Sequence, residues 1–212
     1  MSTVSDLLTR LRFLLEEEQP SYFDDDRLTE CLDEGQSALV LYLHPAMLMG
    51  TDFQATVTRY HASGSTYDLP SDLVKIYRVT RDQSETEGGD SEIPVHLMDE
   101  NTWGAQKKHA AWAGTPNSPV GYIWGSELTV LPAAGNTSST RGVKIWYIKE
   151  PTTLTSSSSV EITVAMEHIL LRWAAHRAAE RDGLTEQSAL HLKVAMEHIE
   201  RLNAMAREHY PV

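Results

Sequence analysis

Near the start of the chain, Leu7, Leu8, Leu11, Leu14 and Leu15 recur at helical spacing and form one apolar stripe. The spacing predicts a helix that begins near Ser5, whose hydroxyl suits a cap, and ends at Pro20. Glu16, Glu17 and Glu18 stand at its end, the unfavourable sign for a helix C-terminus. A second helix opens at Asp24, Asp25 and Asp26 and keeps Leu28, Cys31, Leu32, Gly35, Leu39 and Tyr42 on one face until Pro45. Gly35 lowers helix propensity by about 1 kcal/mol relative to Ala, and a close helix–helix approach would account for it. The short connector between the two favours an antiparallel pair.

The middle of the chain changes period. Phe53–Arg59, Leu73–Val79, Glu92–Leu97, Gly121–Trp124, Glu127–Leu131 and Val143–Ile148 read as short strands rich in Val, Ile, Tyr and Trp. Gly125-Ser126 joins two of them as a hairpin. Val143–Ile148 has apolar groups on both faces, which suits a strand covered on both sides. Asp82–Ser91, with Gly88-Gly89, reads as an exposed loop, and Asp99–Lys107 has room for a short helix. After a Thr/Ser-rich connector from Pro151 to Ser159, a third helix is expected from about Val160 to Arg181, with Ile162, Met166, Ile169, Leu170 and Trp173 inward. Asp182-Gly183 ends it. Thr185 caps a fourth, whose stripe is Ala189, Leu192, Met196, Ile199 and Leu202 and which runs toward Tyr210. Val164–Ile169 recurs as Val194–Ile199, but the flanks agree only loosely, so a shared amphipathic pattern explains the repeat.

These elements predict an α+β fold. Residues 1–50 and 152–212 carry two helical pairs whose separate apolar stripes need each other, so the chain ends should meet in one bundle. Residues 51–151 are then an antiparallel β-rich insertion.

Charge and composition narrow the function. A net charge of −12 argues against broad nucleic-acid binding, which needs concentrated Lys and Arg. It leaves open a surface that DNA passes without sticking. The lone Cys31 lies on an apolar stripe and reads as a buried small hydrophobe; one cysteine permits no intrachain disulfide. Met1–Arg10 shows no basic-then-apolar signal pattern, and no apolar run is long enough for a bilayer, so a cytosol-like compartment and no membrane partner are expected.

The chain carries few signatures of chemistry. No phosphate-binding Gly-rich loop, nucleophile elbow or zinc-protease helix is present. His168, His176, His191, His198 and His209 all fall on the C-terminal helices. His191 and His198 share a face, but Gln187, one turn before, is a neutral amide and completes no ligand set. Solvated helix-face histidines are the plainer reading, and Asp99-Glu100 and Glu16–Glu18 read as scattered surface acids. Trp103, Trp112, Trp124, Trp146 and Trp173 lack interleaved cations in sequence and suit core packing or subunit contact better than base stacking. No cofactor or metal site and no catalytic residue is assigned.

The order of parts is more specific than any motif. Leu11–Glu16, Gln19-Pro20, Phe23-Asp24-Asp25 and Leu32-Asp33-Glu34-Gly35-Gln36 resemble the opening of tailed-bacteriophage head-to-tail adaptor proteins, the connector or tail-tubular group. Tyr67-Asp68-Leu69-Pro70-Ser71-Asp72-Leu73 is similar to that family's leucine–proline element before a strand. Val143–Ile148 followed by Pro151 resembles its last strand, and the C-terminal helix pair completes the order. The resemblance implies a non-enzymatic ring, commonly of twelve subunits, between portal and tail nozzle, with DNA only as passing cargo. It implies assembly in the bacterial host cytoplasm and a final place in the virion neck. Portal contact would fall on His209, Tyr210, Pro211 and Val212, and an acidic lumen on Asp24, Asp25, Asp26, Asp99 and Glu100. The readings of other classes are a small metal-dependent hydrolase using the histidine-rich helices, and a bacterial binding module with a helical dimer interface.

Overall fold

A computed structural model describes residues 2–16, 23–60, 65–82, 92–99, 102, 114–133, 142–160 and 162–209. The fold is α+β, and the chain divides into two compact units: Met1–Gln54 with Glu150–Val212, and Ala55–Lys149.

In the first unit, α1 (Val4–Leu14) starts at Thr3, whose hydroxyl oxygen accepts from the Asp6 N–H at 3.2 Å. Asp24 caps α2 (Asp25–Tyr42) through the Asp26 N–H, also at 3.2 Å. Thr163 caps α3 (Val164–Arg181), and α4 spans Thr185–His209. Between α3 and α4, Gly183 takes φ +74°, a left-handed conformation that favours glycine. α3 is the hub, packing against α1, α2 and α4. Met166, Ile169, Leu170, Leu171, Ala174, Ala175, Ala178 and Ala179 are all buried on it, because three neighbours leave little of its circumference to water. Leu7 and Leu11 of α1 and Leu28, Leu32 and Leu39 of α2 are fully buried, each contributing roughly 1.5–3 kcal/mol of transfer free energy.

At Gly35 α2 approaches α3 closely. A Cβ there would lie 2.7 Å from Leu170 Cδ1 and 3.1 Å from the Leu170 carbonyl oxygen. A second tie fixes the N-terminus. The buried Glu167 carboxylate accepts from Ser2 Oγ at 3.0 Å and pairs with Arg10. Short strands β1 (Ser2–Thr3) and β10 (Ser159–Val160) pair beside it. On α4, Asn203 donates to the Tyr42 carbonyl at 2.8 Å and accepts from the His44 N–H at 2.7 Å, satisfying the end of α2 from outside.

The second unit contains two four-stranded sheets. Its strands are β2 (Gln54–Tyr60, beginning in the first unit), β3 (Thr66–Asp68), β4 (Leu73–Asp82), β5 (Glu92–Pro94), β6 (His96–Met98), β7 (Val120–Trp124), β8 (Glu127–Leu131) and β9 (Gly142–Lys149). The orders are β2-β9-β4-β5 and β3-β8-β7-β6. Inward positions of both sheets, including Tyr67, Val79, Leu128, Val130, Val143, Ile145 and Tyr147, form one core. Val95 joins the sheets: its N–H bonds Val79, while the next N–H, of His96, bonds Pro119.

Several expectations change. Thr3 rather than Ser5 caps α1, and α3 begins at Val164 because Val160 is held in β10. Glu92–Leu97 is two strands, since Pro94 has no N–H to continue a ladder and the chain changes sheets there. β6 and β7 are parallel, against the antiparallel expectation; the 21 residues between them allow the crossover that a parallel pair needs. Val143, Ile145, Tyr147 and Ile148 are buried, but Lys144 and Trp146 keep the other face of β9 partly open. The buried line of α4 is Ser188, His191, Ala195, Ile199, Leu202 and Ala206, rotated from the apolar stripe, so that Ala189 is exposed. The Asp82–Ser91 loop and the Asp99–Lys107 helix fall largely outside the described residues, as do Trp103 and Trp112.

Substitutions at two positions check this account. Gly35→Ala sets a gain of about 1 kcal/mol in helix propensity against the contacts with Leu170, and should be near neutral. Gly35→Val adds bulk with no such offset and should lower the denaturation free energy by about 1–3 kcal/mol. Glu167→Ala leaves Arg10 and Ser2 without their shared partner and should cost about 1–3 kcal/mol in chemical denaturation. Hydrogen exchange should speed up first at residues 2–4 and 158–160.

Candidate functional site

Three of the five acidic residues expected to line a lumen have local partners. Asp24 is the α2 cap, and Asp25 pairs with Arg12. Asp99, in the other unit, accepts from the Thr102 N–H and hydroxyl, both at 2.8 Å. Asp26 is exposed in the first turn of α2. Asp24–Asp26 are consecutive residues at the start of α2. Glu100 lies outside the described residues. His209 is the exposed last residue of α4, and Tyr210, Pro211 and Val212 lie outside the described residues.

The histidines differ from the solvated faces expected. Four of the five occupy the seam between α3 and α4. His191 is only 5% exposed, and its Nδ1 lies 3.0 Å from Arg172 Nη1. Since a guanidinium can only donate, His191 Nδ1 is the acceptor and the ring is neutral. Burial, then Arg172 and His176, hold its pKa below the ordinary value. His176 Nδ1 lies 2.8 Å from the hydroxyl of buried Ser188. His168 and His198 face each other across the seam with ring centroids 4.7 Å apart. Burial, followed by His198, Arg172 and Arg10, pushes the His168 pKa down. Among the described residues, no three His, Cys, Asp or Glu side chains converge as a metal cage.

Beside this seam is a cleft of about 520 Å³ lined by Phe13, Leu14, Glu16, Arg172, Gln187, Leu190 and His191. Phe13, 84% exposed, and Leu14 separate it from a hollow of about 370 Å³ that includes Arg10 and His168. The charge around it is unusual for its unit. The first unit has nine Lys and Arg against twenty Asp and Glu, a net −11; the second has nine against ten, a net −1. In the first unit Arg10, Arg12, Arg27, Arg177, Arg181 and Lys193 all pair with carboxylates. Arg172, Arg201 and Arg207 have none among the described residues, and of these three Arg172 is hydrogen-bonded to the neutral His191. Exposed Glu16 on the rim makes no ion pair with it. A half-buried guanidinium thus borders a cleft with an apolar rim.

In the second unit, Trp146 does have cations about it, brought by folding rather than by sequence neighbours. Arg78 stands 4.8 Å and Lys144 4.6 Å from its ring centroid, and Lys144 also binds Glu92 at 3.1 Å. Trp124 is 64% exposed at the tip of the β7–β8 hairpin, stacked on Tyr122 with centroids 6.2 Å apart. Trp173 is half-buried and packs against Tyr42, with centroids 5.4 Å apart.

Sequence reading passed over Arg172, Phe13 and Asn203. Phe13 alone carried a signal, as a large apolar residue off the Leu stripe of α1.

The lowered histidine pKa values set a pH dependence. In the unfolded chain His168 and His191 titrate near the ordinary 6.5; in the folded chain they titrate lower. The unfolded state therefore takes up more protons as pH falls below about 6.5, so stability is intact above that pH and lost below it. Thermal melting between pH 7.5 and 5 should show this drop, and His168→Asn should reduce its amplitude.

Sequence comparison then supplies what the side chains alone do not. No curated protein is significantly similar to the chain. The family model described as SU10 adaptor protein matches residues 2–211, thus both units together. This agrees with the resemblance to phage head-to-tail adaptors, and the chain belongs to the SU10 adaptor protein family.

Proposed function

We propose that this phage adaptor forms a homo-oligomeric ring, of twelve subunits as the resemblance implies, that joins the portal to the tail and lets DNA pass. The observation that carries the reading is the family match over residues 2–211. The ring occupies the virion neck after assembly in the host cytoplasm. Its partners are further copies of itself, the portal, and a tail nozzle or other tail component.

Charge supports the role physically. DNA moving through a ring must not be retained by its wall, and a unit of net −11 repels phosphate. In this reading the two chain ends make the ring-forming helical domain and the β-rich insertion is a second domain turned toward the tail. The segment from His209 to Val212 reaches the portal. Asp24, Asp25, Asp26, Asp99 and Glu100 lie along the DNA path.

Purified chain, alone and mixed with the portal of its phage, should be sized by light scattering and imaged by electron microscopy. Rings seated on the portal are the expected result. A chain that stays monomeric with and without portal defeats the reading. Replacing Asp24, Asp25 and Asp26 together with Lys should raise DNA retention by assembled rings in filter binding, most at low salt. Rings whose bore is mainly basic would count against the acidic path.

A further inference from the structure

The β7–β8 hairpin and the Arg172 cleft have complementary chemistry on separate parts of the chain. Along β7 burial does not simply alternate. Val120 and Gly121 are buried, Tyr122 is half-buried, and Ile123 and Trp124 are exposed, as are Gly125, Ser126 and Glu127 after them. The side chains of the tip therefore face solvent, although its backbone is held to the chain beside it by the Leu69 N–H on the Ser126 carbonyl. The tip ends in an indole with a carboxylate directly across the ladder, since Trp124 pairs with Glu127. A protruding Trp has no role in the core of its own unit; it is the residue type most often found as a buried anchor between proteins.

The cleft offers the opposite surface. Phe13 and Leu190, 84% and 57% exposed, form apolar walls. Arg172 supplies the cation in the helical unit that is bound to histidine instead of a carboxylate. A guanidinium beside an apolar wall suits both an indole face and a carboxylate. Nucleic acid is the poorer occupant, because the unit as a whole carries net −11.

We propose that the hairpin tip Ile123–Glu127 of one copy docks in the Phe13–Arg172–Leu190 cleft of the next. Trp124 enters between Phe13 and Leu190, and Glu127 pairs with Arg172. Tip and cleft are different surfaces, so the contact is heterologous, the kind that closes into a ring when the rotation between copies is right. The proposal rests on the ring reading above and assigns its subunit contact.

The test uses the full-length chain in sedimentation velocity over a concentration series, alone and with portal. Trp124→Ala, Glu127→Arg and Arg172→Glu should each weaken self-association by about tenfold or more. The double variant Glu127→Arg with Arg172→Glu should recover much of it. Trp124 and Glu127 are exposed, so their variants keep the fold even if Arg172→Glu does not; circular dichroism checks each one. Wild-type rings that form equally well from Trp124→Ala and Glu127→Arg chains overturn this contact and leave the ring standing. Loss of portal binding in Arg172→Glu, with self-association intact, assigns the cleft to the portal and also overturns it. Wild-type chain that forms no ring with or without portal removes the ring reading, and this contact with it.

Discussion

The packing of α3 is the constraint on which the helical unit depends. This helix is buried against three partners, and two of them, α1 and α2, come more than a hundred residues earlier in the chain. Among the described residues their stripes find their main partner in α3, so the helical unit draws on both the early and the late parts of the chain. At Gly35 the backbones approach too closely for a Cβ without movement of Leu170, which fixes how α2 lies on α3. The alanines at 174, 175, 178 and 179 do the same work further along, replacing side-chain volume with proximity. Glu167 is the polar counterpart. A buried carboxylate is tolerable there because Arg10 and Ser2 meet it, and in meeting it they hold the first residues of the chain.

The seam between α3 and α4 follows another logic. Instead of continuing the apolar stripe, α4 turns Ser188 and His191 inward, and each bonds a polar group of α3. Hydrogen bonding offsets the desolvation of these groups. It also leaves Arg172 with a neutral partner in a unit where most cations are matched to carboxylates. Acidity of the whole and a local cationic spot are therefore not in conflict. The first comes from the excess of Asp and Glu; the second arises because a histidine took the place that a carboxylate holds elsewhere.

The α+β class and the four helices were legible in the sequence because leucine spacing and caps act locally. Asp24 and Gly183 mark ends by their own backbone chemistry, and the cost of Gly35 already implied a close approach. Pairs distant in sequence were not legible. Nothing local announces that Ser2–Thr3 lies beside Ser159–Val160, or that Asn203 completes the end of α2. The parallel β6–β7 pair was missed because alternation reports which face is buried and not the direction of the neighbour. For α4 the apolar stripe misled, since the true inward line includes a serine and a histidine whose partners sit on another helix.

The same limit explains why the candidate site is hard to read from residue types. An enzyme concentrates its chemistry in a few side chains whose spacing leaves a trace in sequence, whereas an adaptor's function lies in the shapes and charges of its surfaces. Phe13 and Trp124 differ little from core residues as letters. Only burial shows that one walls a cleft and the other tips a hairpin. Even the turn at Gly125-Ser126, plain in the sequence, told that two strands meet there and not that the side chains at their ends are exposed. Family membership supplies the class of work, and burial supplies what residue types cannot: Arg172 borders an apolar-rimmed cleft with a neutral histidine as its partner and no carboxylate among the described residues, within a unit whose net charge is −11.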